Sequence, residues 1–98
     1  MKMLLAIFSE EIDDDVMTSL AAIGIHCFTE WTGVLGKGQH SGPRFDNKYW
    51  PGVNNVAMFV VPDETIPKAL AVLKEIRQKN LGHEGMKAFV LNVEQKLE

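Results

Sequence analysis

The chain has little cysteine and no excess of basic residues. Its single cysteine, Cys27, cannot form a disulfide within the chain, and a free thiol fits a reducing compartment. Ten lysines and arginines stand against thirteen aspartates and glutamates, which gives a net charge of −3 at pH 7. Nucleic-acid binding usually shows as a basic excess, so the overall charge offers no electrostatic basis for that function.

Long hydrophobic runs are also missing. The N-terminal apolar run covers residues 3–8 and is followed at once by Ser9, Glu10 and Glu11. This run is shorter than the core of a signal peptide, and acidic residues stand where a cleavage site should lie. No run approaches the roughly 18 apolar residues that cross a bilayer. We therefore expect a cytoplasmic protein that does not insert into a membrane.

The overall composition is that of an ordinary globular domain. Apolar residues make up 46% of the chain and charged residues 23%, a mixture that argues against disorder. A length of 98 residues is close to one domain and too short for two. We expect a single domain over residues 1–98.

The apolar pattern predicts two helices among four strands. Three aspartates, Asp13 to Asp15, are expected to cap and start the first helix, and Gly24 is expected to end it. The second helix is expected to start within 62–65, with Asp63 or Thr65 as its cap, and to end within 80–82. Strands are predicted at residues 3–8, 25–32 (with a possible extension to 35), 53–61 and 86–93. The order β-α-β-loop-β-α-β predicts an α+β, ferredoxin-like sandwich: one antiparallel sheet with both helices on one face.

The predicted strands are apolar on both faces. Residues 4–8 and 56–61 are unbroken apolar runs, and 88–91 is nearly one, whereas a sheet with one wet face should alternate. Two helices can cover only one face. We therefore expect a second copy of the chain to cover the other, with a monomer whose loop folds back over the sheet as the alternative.

A glycine-rich loop separates the second and third strands. Five of the eight glycines lie from Gly33 to Gly52, and the loop over 36–52 is long for a connection without regular structure. It lacks the Walker A ending and the dinucleotide-binding glycine spacing. Its glycines, local positive charge and aromatic residues suit an anion or a protein partner, and a solvated connection between strands is the alternative.

The chain resembles the PII signalling superfamily in two motifs and in topology. The first motif is Gly36, Gly38 and Gln39, where the second strand runs into the long loop, called the T-loop in that family. The second is the glycine-rich turn over 82–90, which is similar to the family's B-loop, Gly-Asp-Gly-Lys-Ile-Phe-Val. The resemblance implies a homotrimer of ferredoxin-like subunits.

The same resemblance implies a signalling function without catalysis. A small anionic effector, with ATP or ADP as the candidates, would bind in clefts between subunits. The loop over 37–51 would then regulate a partner enzyme or transporter. The implied effector-binding residues are Gly36, Gly38, Gln39, Gly85 and Lys87. The implied partner-contacting residues are Lys37, His40, Arg44, Tyr49 and Trp50.

The chain departs from the family pattern in two places. Met86 stands where the family has a glycine before the lysine, which predicts a reorganised turn. The C-terminal residues 93–98 lack the arginines that help to bind phosphates in the family.

Two other function classes stay open at this point. One is a metal-responsive, CutA-like protein, although the histidines and Cys27 show no close ligand spacing and we predict no metal site. Cys27 is expected to be a small buried group on a strand, with its neighbour His26 pointing to the opposite face. Trp31 is expected in the core or in an interface. The other class is a small enzyme on paired ferredoxin-like subunits, for which no catalytic residues stand out.

Overall fold

The computed structural model describes residues 1–38, 52–80 and 86–98. These residues form four strands and two helices, and each helix is preceded by a short 3₁₀ turn. The elements are β1 (Lys2–Ser9), a 3₁₀ turn (Glu10–Ile12), α1 (Asp13–Ala22), β2 (Thr29–Val34), β3 (Asn54–Val61), a 3₁₀ turn (Asp63–Thr65), α2 (Ile66–Lys79) and β4 (Lys87–Asn92).

The four strands form one antiparallel sheet in the order β2-β3-β1-β4. The central strand β1 pairs with β3 on one side and with β4 on the other, and β3 also pairs with β2. With the two helices this is the ferredoxin-like α+β arrangement, so the predicted fold class is confirmed.

The core lies between the two helices and every second residue of the inner strands. In β1 the alternate residues Leu4, Ala6 and Phe8 are fully buried, and in β3 Ala57 and Phe59 are at most 1% exposed. The helices contribute the apolar positions that the 3.6-residue period predicts. These helix residues are Val16 and Leu20 of α1 and Ala69, Leu73 and Ile76 of α2.

Helix α1 ends as the sequence predicts but starts differently. Gly24 has φ +94°, the Gly24 N–H donates to Ala21 O at 3.0 Å and the Ile25 N–H donates to Leu20 O at 3.0 Å, which is a Schellman motif. The capping role expected of Asp13 to Asp15 is wrong. They occupy the first helical turn, and the residue before them, Ile12, makes no side-chain capping bond.

The reason for the different start is the 3₁₀ turn that precedes α1. Ser9 caps that turn, since its side chain accepts a hydrogen bond from the Glu11 N–H at 3.3 Å. The aspartates therefore face the positive end of the helix dipole without capping it. The second helix likewise follows a 3₁₀ turn, and Thr65 before it makes no side-chain capping bond.

The second strand is shorter than predicted. It pairs with β3 from Thr29 onward, so residues 25–28 lie outside the sheet although their composition favours a strand. Cys27 is exposed rather than buried, and His26 is exposed beside it. The prediction for Cys27 is wrong because the Schellman motif places Ile25 in the core and the next residues run past the edge of the sheet.

The face of the sheet that turns away from the helices is largely apolar, and within the described ranges 1–38, 52–80 and 86–98 several of its large side chains are exposed. Three of its side chains are about half exposed: Trp31 at 48%, Phe89 at 50% and Leu91 at 47%. The strands are therefore apolar on both sides, and Trp31 lies on this face and not in the core of the single chain. We call this surface the open face. By the strand register its polar residues are Thr29 and Lys87, and its apolar residues are Met3, Leu5, Ile7, Trp31, Val56, Met58, Val60, Phe89 and Leu91.

Among residues 1–38, 52–80 and 86–98, no helix is long and apolar enough to cross a bilayer.

Candidate functional site

The strand pairing brings both predicted motifs to one end of the sheet. Val34, at the end of β2, pairs with Asn54, and Ile7, near the end of β1, pairs with Lys87 at the start of β4. The start of the central loop and the start of β4 therefore lie at the same end. Two strands, β3 and β1, separate them, so three strand spacings of ~4.8 Å place them roughly 14 Å apart across the sheet.

The start of the loop is built on close backbone packing. A Cβ atom at Gly36 would lie 3.1 Å from Asn54 Nδ2, so the glycine allows the chain to pass directly over the start of β3. Next along the chain, Lys37 is exposed and Gly38 is partly buried. These three residues lie at this end of the sheet, and their roles stay predictions. The others that were predicted from the loop and the turn, Gln39, His40, Arg44, Tyr49, Trp50 and Gly85, lie outside the described residues.

The start of β4 is rich in positive charge. Lys87 is exposed, and it lines a shallow cleft of about 170 Å³ together with Lys74 and Arg77 of α2. Apolar side chains of α2 and Met86 form the rest of the lining. Lys74 and Arg77 are both exposed. Their spacing of three residues on a helix that leads into the glycine-rich turn is the signal that could have placed them beside Lys87.

Met86 explains how the chain tolerates the missing glycine of the family motif. Its side chain is 4% exposed and belongs to the hydrophobic core. The residue thus fixes the start of β4 from the inside, while Lys87 beside it stays in solvent. The lysine of the motif is kept, and the backbone before it is held by packing.

A polar cluster connects β2, β3 and α1 next to the start of the loop. Asn55 is 5% exposed; its side chain donates to Asp13 Oδ1 at 2.9 Å and accepts a hydrogen bond from the Gly33 N–H at 3.4 Å. Burial and a hydrogen bond with Asp13 raise the pKa of Glu30 from 4.5 to about 7. This cluster could not be recognised from the sequence, because its members are far apart along the chain.

No group of three or more histidine, cysteine, aspartate or glutamate side chains that could hold a metal ion occurs within the part of the chain that the structure describes. His40 and His83, which the metal-responsive alternative also involves, lie outside it.

The structure is a ferredoxin-like sheet with two helices. Its second and third strands are joined by a glycine-rich connection, and its fourth strand starts with Lys87. The family of nitrogen regulatory protein P-II matches residues 1–97. The chain belongs to this family of signalling proteins. No sequence among the curated proteins matches it.

Solved structures of PII-like proteins share the fold. One is CPII from Thiomonas intermedia K12 bound to ADP and bicarbonate, with a TM-score of 0.74 at 20% identity, covering 91% of this chain and 81% of that one. Another is CPII, a nitrogen regulatory PII-like protein of the same organism, bound to ADP, AMP and bicarbonate. It has a TM-score of 0.73 at 19% identity and covers 98% of this chain and 94% of that one.

Proposed function

We propose that this chain is a cytoplasmic, homotrimeric regulator without catalytic activity, which binds an adenine nucleotide between its subunits. Binding changes the loop over 37–51, and the loop regulates a partner enzyme or transporter. The observation that carries the proposal is that the glycine-bearing start of the loop and the start of β4 with Lys87 lie at the same end of the sheet, on its two edge strands. The structurally similar CPII binds ADP, AMP and bicarbonate, which supports the choice of effector.

The electrostatics favour an anion at this end of the sheet. The whole chain carries −3, yet Lys74, Arg77 and Lys87 come together at one cleft and Lys37 is exposed at the start of the loop. Lysine acts as a point charge toward phosphate, and glycine lets backbone N–H groups approach it. This local charge suits a diphosphate or bicarbonate better than a neutral ligand.

The open face supports an assembly of several copies. A surface with half-exposed Trp31, Phe89 and Leu91 around a strip of apolar residues is larger than the isolated apolar positions that monomers usually show. A second copy of the chain offers the same kind of surface. In such an assembly the two motifs, separated by roughly 14 Å across one sheet, would line clefts at the subunit boundary.

The C-terminal tail, residues 93–98, offers little positive charge to a phosphate group. Its one cation, Lys96, pairs with Glu98 at 2.9 Å. We expect the Lys87 side chain to contribute a large share of the affinity for the nucleotide.

Isothermal titration calorimetry with ADP, AMP, ATP and bicarbonate tests this function. Lys87→Ala removes a charge-assisted contact worth roughly 1.5–3 kcal/mol, so we expect the Kd for ADP to rise at least about tenfold. The matched control is Lys68→Ala, an exposed lysine in the first turn of α2 that we place outside the site, and it should leave the Kd unchanged.

Two results would contradict the proposal. Absence of binding heat with every nucleotide would remove the adenine nucleotide as effector. Equal affinities of the Lys87→Ala and Lys68→Ala variants for ADP would remove Lys87 from the site.

A further inference from the structure

The polar cluster beside the start of the loop has a chemistry that nucleotide binding does not use. It joins Glu30 of β2, Asp13 of α1 and Asn55 of β3. The Asp13 carboxyl group lies near Glu30 and raises its pKa, because two neighbouring carboxyl groups resist being ionised together. Glu30 Oε2 is buried and has no hydrogen-bond partner, although the residue as a whole is only partly buried. The pair is therefore better suited to one negative charge than to two.

The charges around Glu30 do not offset a second negative charge. From α1 it faces Asp13, which opposes its ionisation. From β3 it is paired with the uncharged Ala57, and the uncharged Asn55 lies two residues away on the same face of that strand. The remaining acidic residues of the first turn of α1 are engaged elsewhere or in solvent: Asp15 pairs with Lys79 at 3.4 Å, and Asp14 is exposed.

The cluster is connected to the backbone at the start of the loop. The Gly33 N–H donates to Asn55 Oδ1, and Asn55 in turn donates to Asp13. Gly33 has φ +68° and lies where the pairing of β2 with β3 shifts between Trp31 and Val34. Such an irregularity bends a strand and sets the direction in which the chain leaves the sheet. A change in the charge of Asp13 and Glu30 can therefore affect the start of the loop through two hydrogen bonds, one between Asn55 and Asp13 and one between Gly33 and Asn55.

We propose that the Asp13–Glu30 pair is a pH-dependent latch on the start of the central loop. The latch is closed while the two carboxyl groups share a proton, and it opens when both are ionised and repel each other. Opening displaces Asp13 from Asn55, weakens the bond from the Gly33 N–H and changes the direction of the chain into the loop. This inference does not depend on nucleotide binding, so it can hold or fail separately from the proposed function.

The sign of the pH dependence follows from the direction of the pKa shift. Burial and Asp13 raise the pKa of Glu30 to about 7, so the shared proton is present at acidic pH and is lost as the pH rises through neutrality. The latch is thus closed on the acidic side and open on the alkaline side.

NMR spectroscopy of the full chain from about pH 5 to about pH 9 tests the latch. The ¹³C signal of the Glu30 carboxyl group should titrate with a midpoint near 7, and the amide signal of Gly33 should move with the same midpoint. In Glu30→Gln the introduced amide donates to Asp13 at every pH, so the Gly33 signal should stay constant over this range. Glu64→Gln, at an exposed glutamate of the second 3₁₀ turn, is the matched control and should titrate like the unmodified chain.

A second variant tests the direction of the coupling. In Asp13→Asn the introduced amide group can donate to ionised Glu30 while its oxygen still accepts from Asn55. The Glu30 midpoint should then fall toward 4.5, and the Gly33 signal should be constant around neutral pH.

Three results would overturn the latch. The first is a Glu30 midpoint near 4.5 in the unmodified chain. The second is a Glu30 midpoint near 7 with a Gly33 signal that does not move. The third is a Gly33 titration near neutral pH that persists in Glu30→Gln.

Discussion

Glu30 is a carboxyl group that folding moves from water into a partly dry cluster with a second carboxyl group. Its pKa rises from 4.5 to about 7, because burial and the neighbouring Asp13 both disfavour the charge. Folding is linked to proton binding wherever a pKa differs between the folded and unfolded chain. The stabilising contribution of Glu30 is therefore complete below about pH 4.5 and is lost as the pH rises through about 7.

This linkage predicts a specific difference in stability between two proteins. Relative to Glu30→Gln, the unmodified chain should lose free energy of unfolding as the pH rises from about 4.5 to about 7, and the difference should then stay constant. Urea denaturation at a series of pH values measures this quantity. A difference that does not change with pH would mean that Glu30 has the same pKa in both states.

At the scale of single elements, α2 offers two leucines with different surroundings. Leu73 is 3% exposed in the core, whereas Leu70, three residues earlier, is 37% exposed on the cleft beside Lys87. Their spacing of three residues puts both on the same side of the helix. The two residues share one helix and one side-chain type, so a comparison isolates burial from helix propensity.

Replacement of each leucine by alanine should separate these environments. Leu73→Ala removes buried methyl groups and leaves a cavity, for which we expect a loss of about 2–5 kcal/mol in the free energy of unfolding. Leu70→Ala should cost less than half as much, since part of its surface is already in water. Urea denaturation of both variants measures the loss. Equal losses would show that Leu70 is buried in the assembled protein.

The elements also show what the sequence can and cannot predict. Helix α2 and strand β3 were predicted well because each has a strong sequence pattern. In α2 the apolar residues recur with a period of 3.6 residues, and β3 contains an unbroken apolar run. Residues 25–28 favour a strand by composition, but the chain leaves the Schellman motif beyond the sheet edge, and Phe28 instead packs its ring 6.2 Å from that of Phe59.

The residues of the candidate site also form two groups, those that the sequence could reveal and those that it could not. Gly36 and Lys87 could be found because glycine-rich segments stand out locally. The cluster of Asp13, Glu30 and Asn55 could not, since only tertiary packing brings these residues together, and each has an ordinary local explanation. Asp13 in particular fits a helix start so well that nothing in the sequence suggests a second role.

At the scale of the whole molecule, the open face determines whether the chain works alone. Phe89 lies on the edge strand β4 and is half exposed in the single chain, so a polar residue there should not disturb folding. In an assembly that buries the open face, the same substitution would place a charge in an apolar interface.

Phe89→Asp should therefore dissociate the assembly while leaving the subunit folded. For the proposed trimer, light scattering should give three times 11.0 kDa, about 33 kDa, for the unmodified chain and 11.0 kDa for the variant. Ala71→Asp, at an exposed position of α2, is the matched control and should keep the larger mass. A mass of 11.0 kDa for the unmodified chain would contradict the proposed assembly, and circular dichroism would confirm that the variant is folded.

The two residues that flank the connection between β2 and β3 determine how freely its length can vary. Val34 and Asn54 are direct partners across the sheet, so the segment that joins them starts and ends on neighbouring strands that are already held together. For a flexible segment closed in this way, each doubling of length costs only roughly 0.6 kcal/mol. A longer or shorter segment between these two positions should therefore leave the fold of the sheet and helices intact.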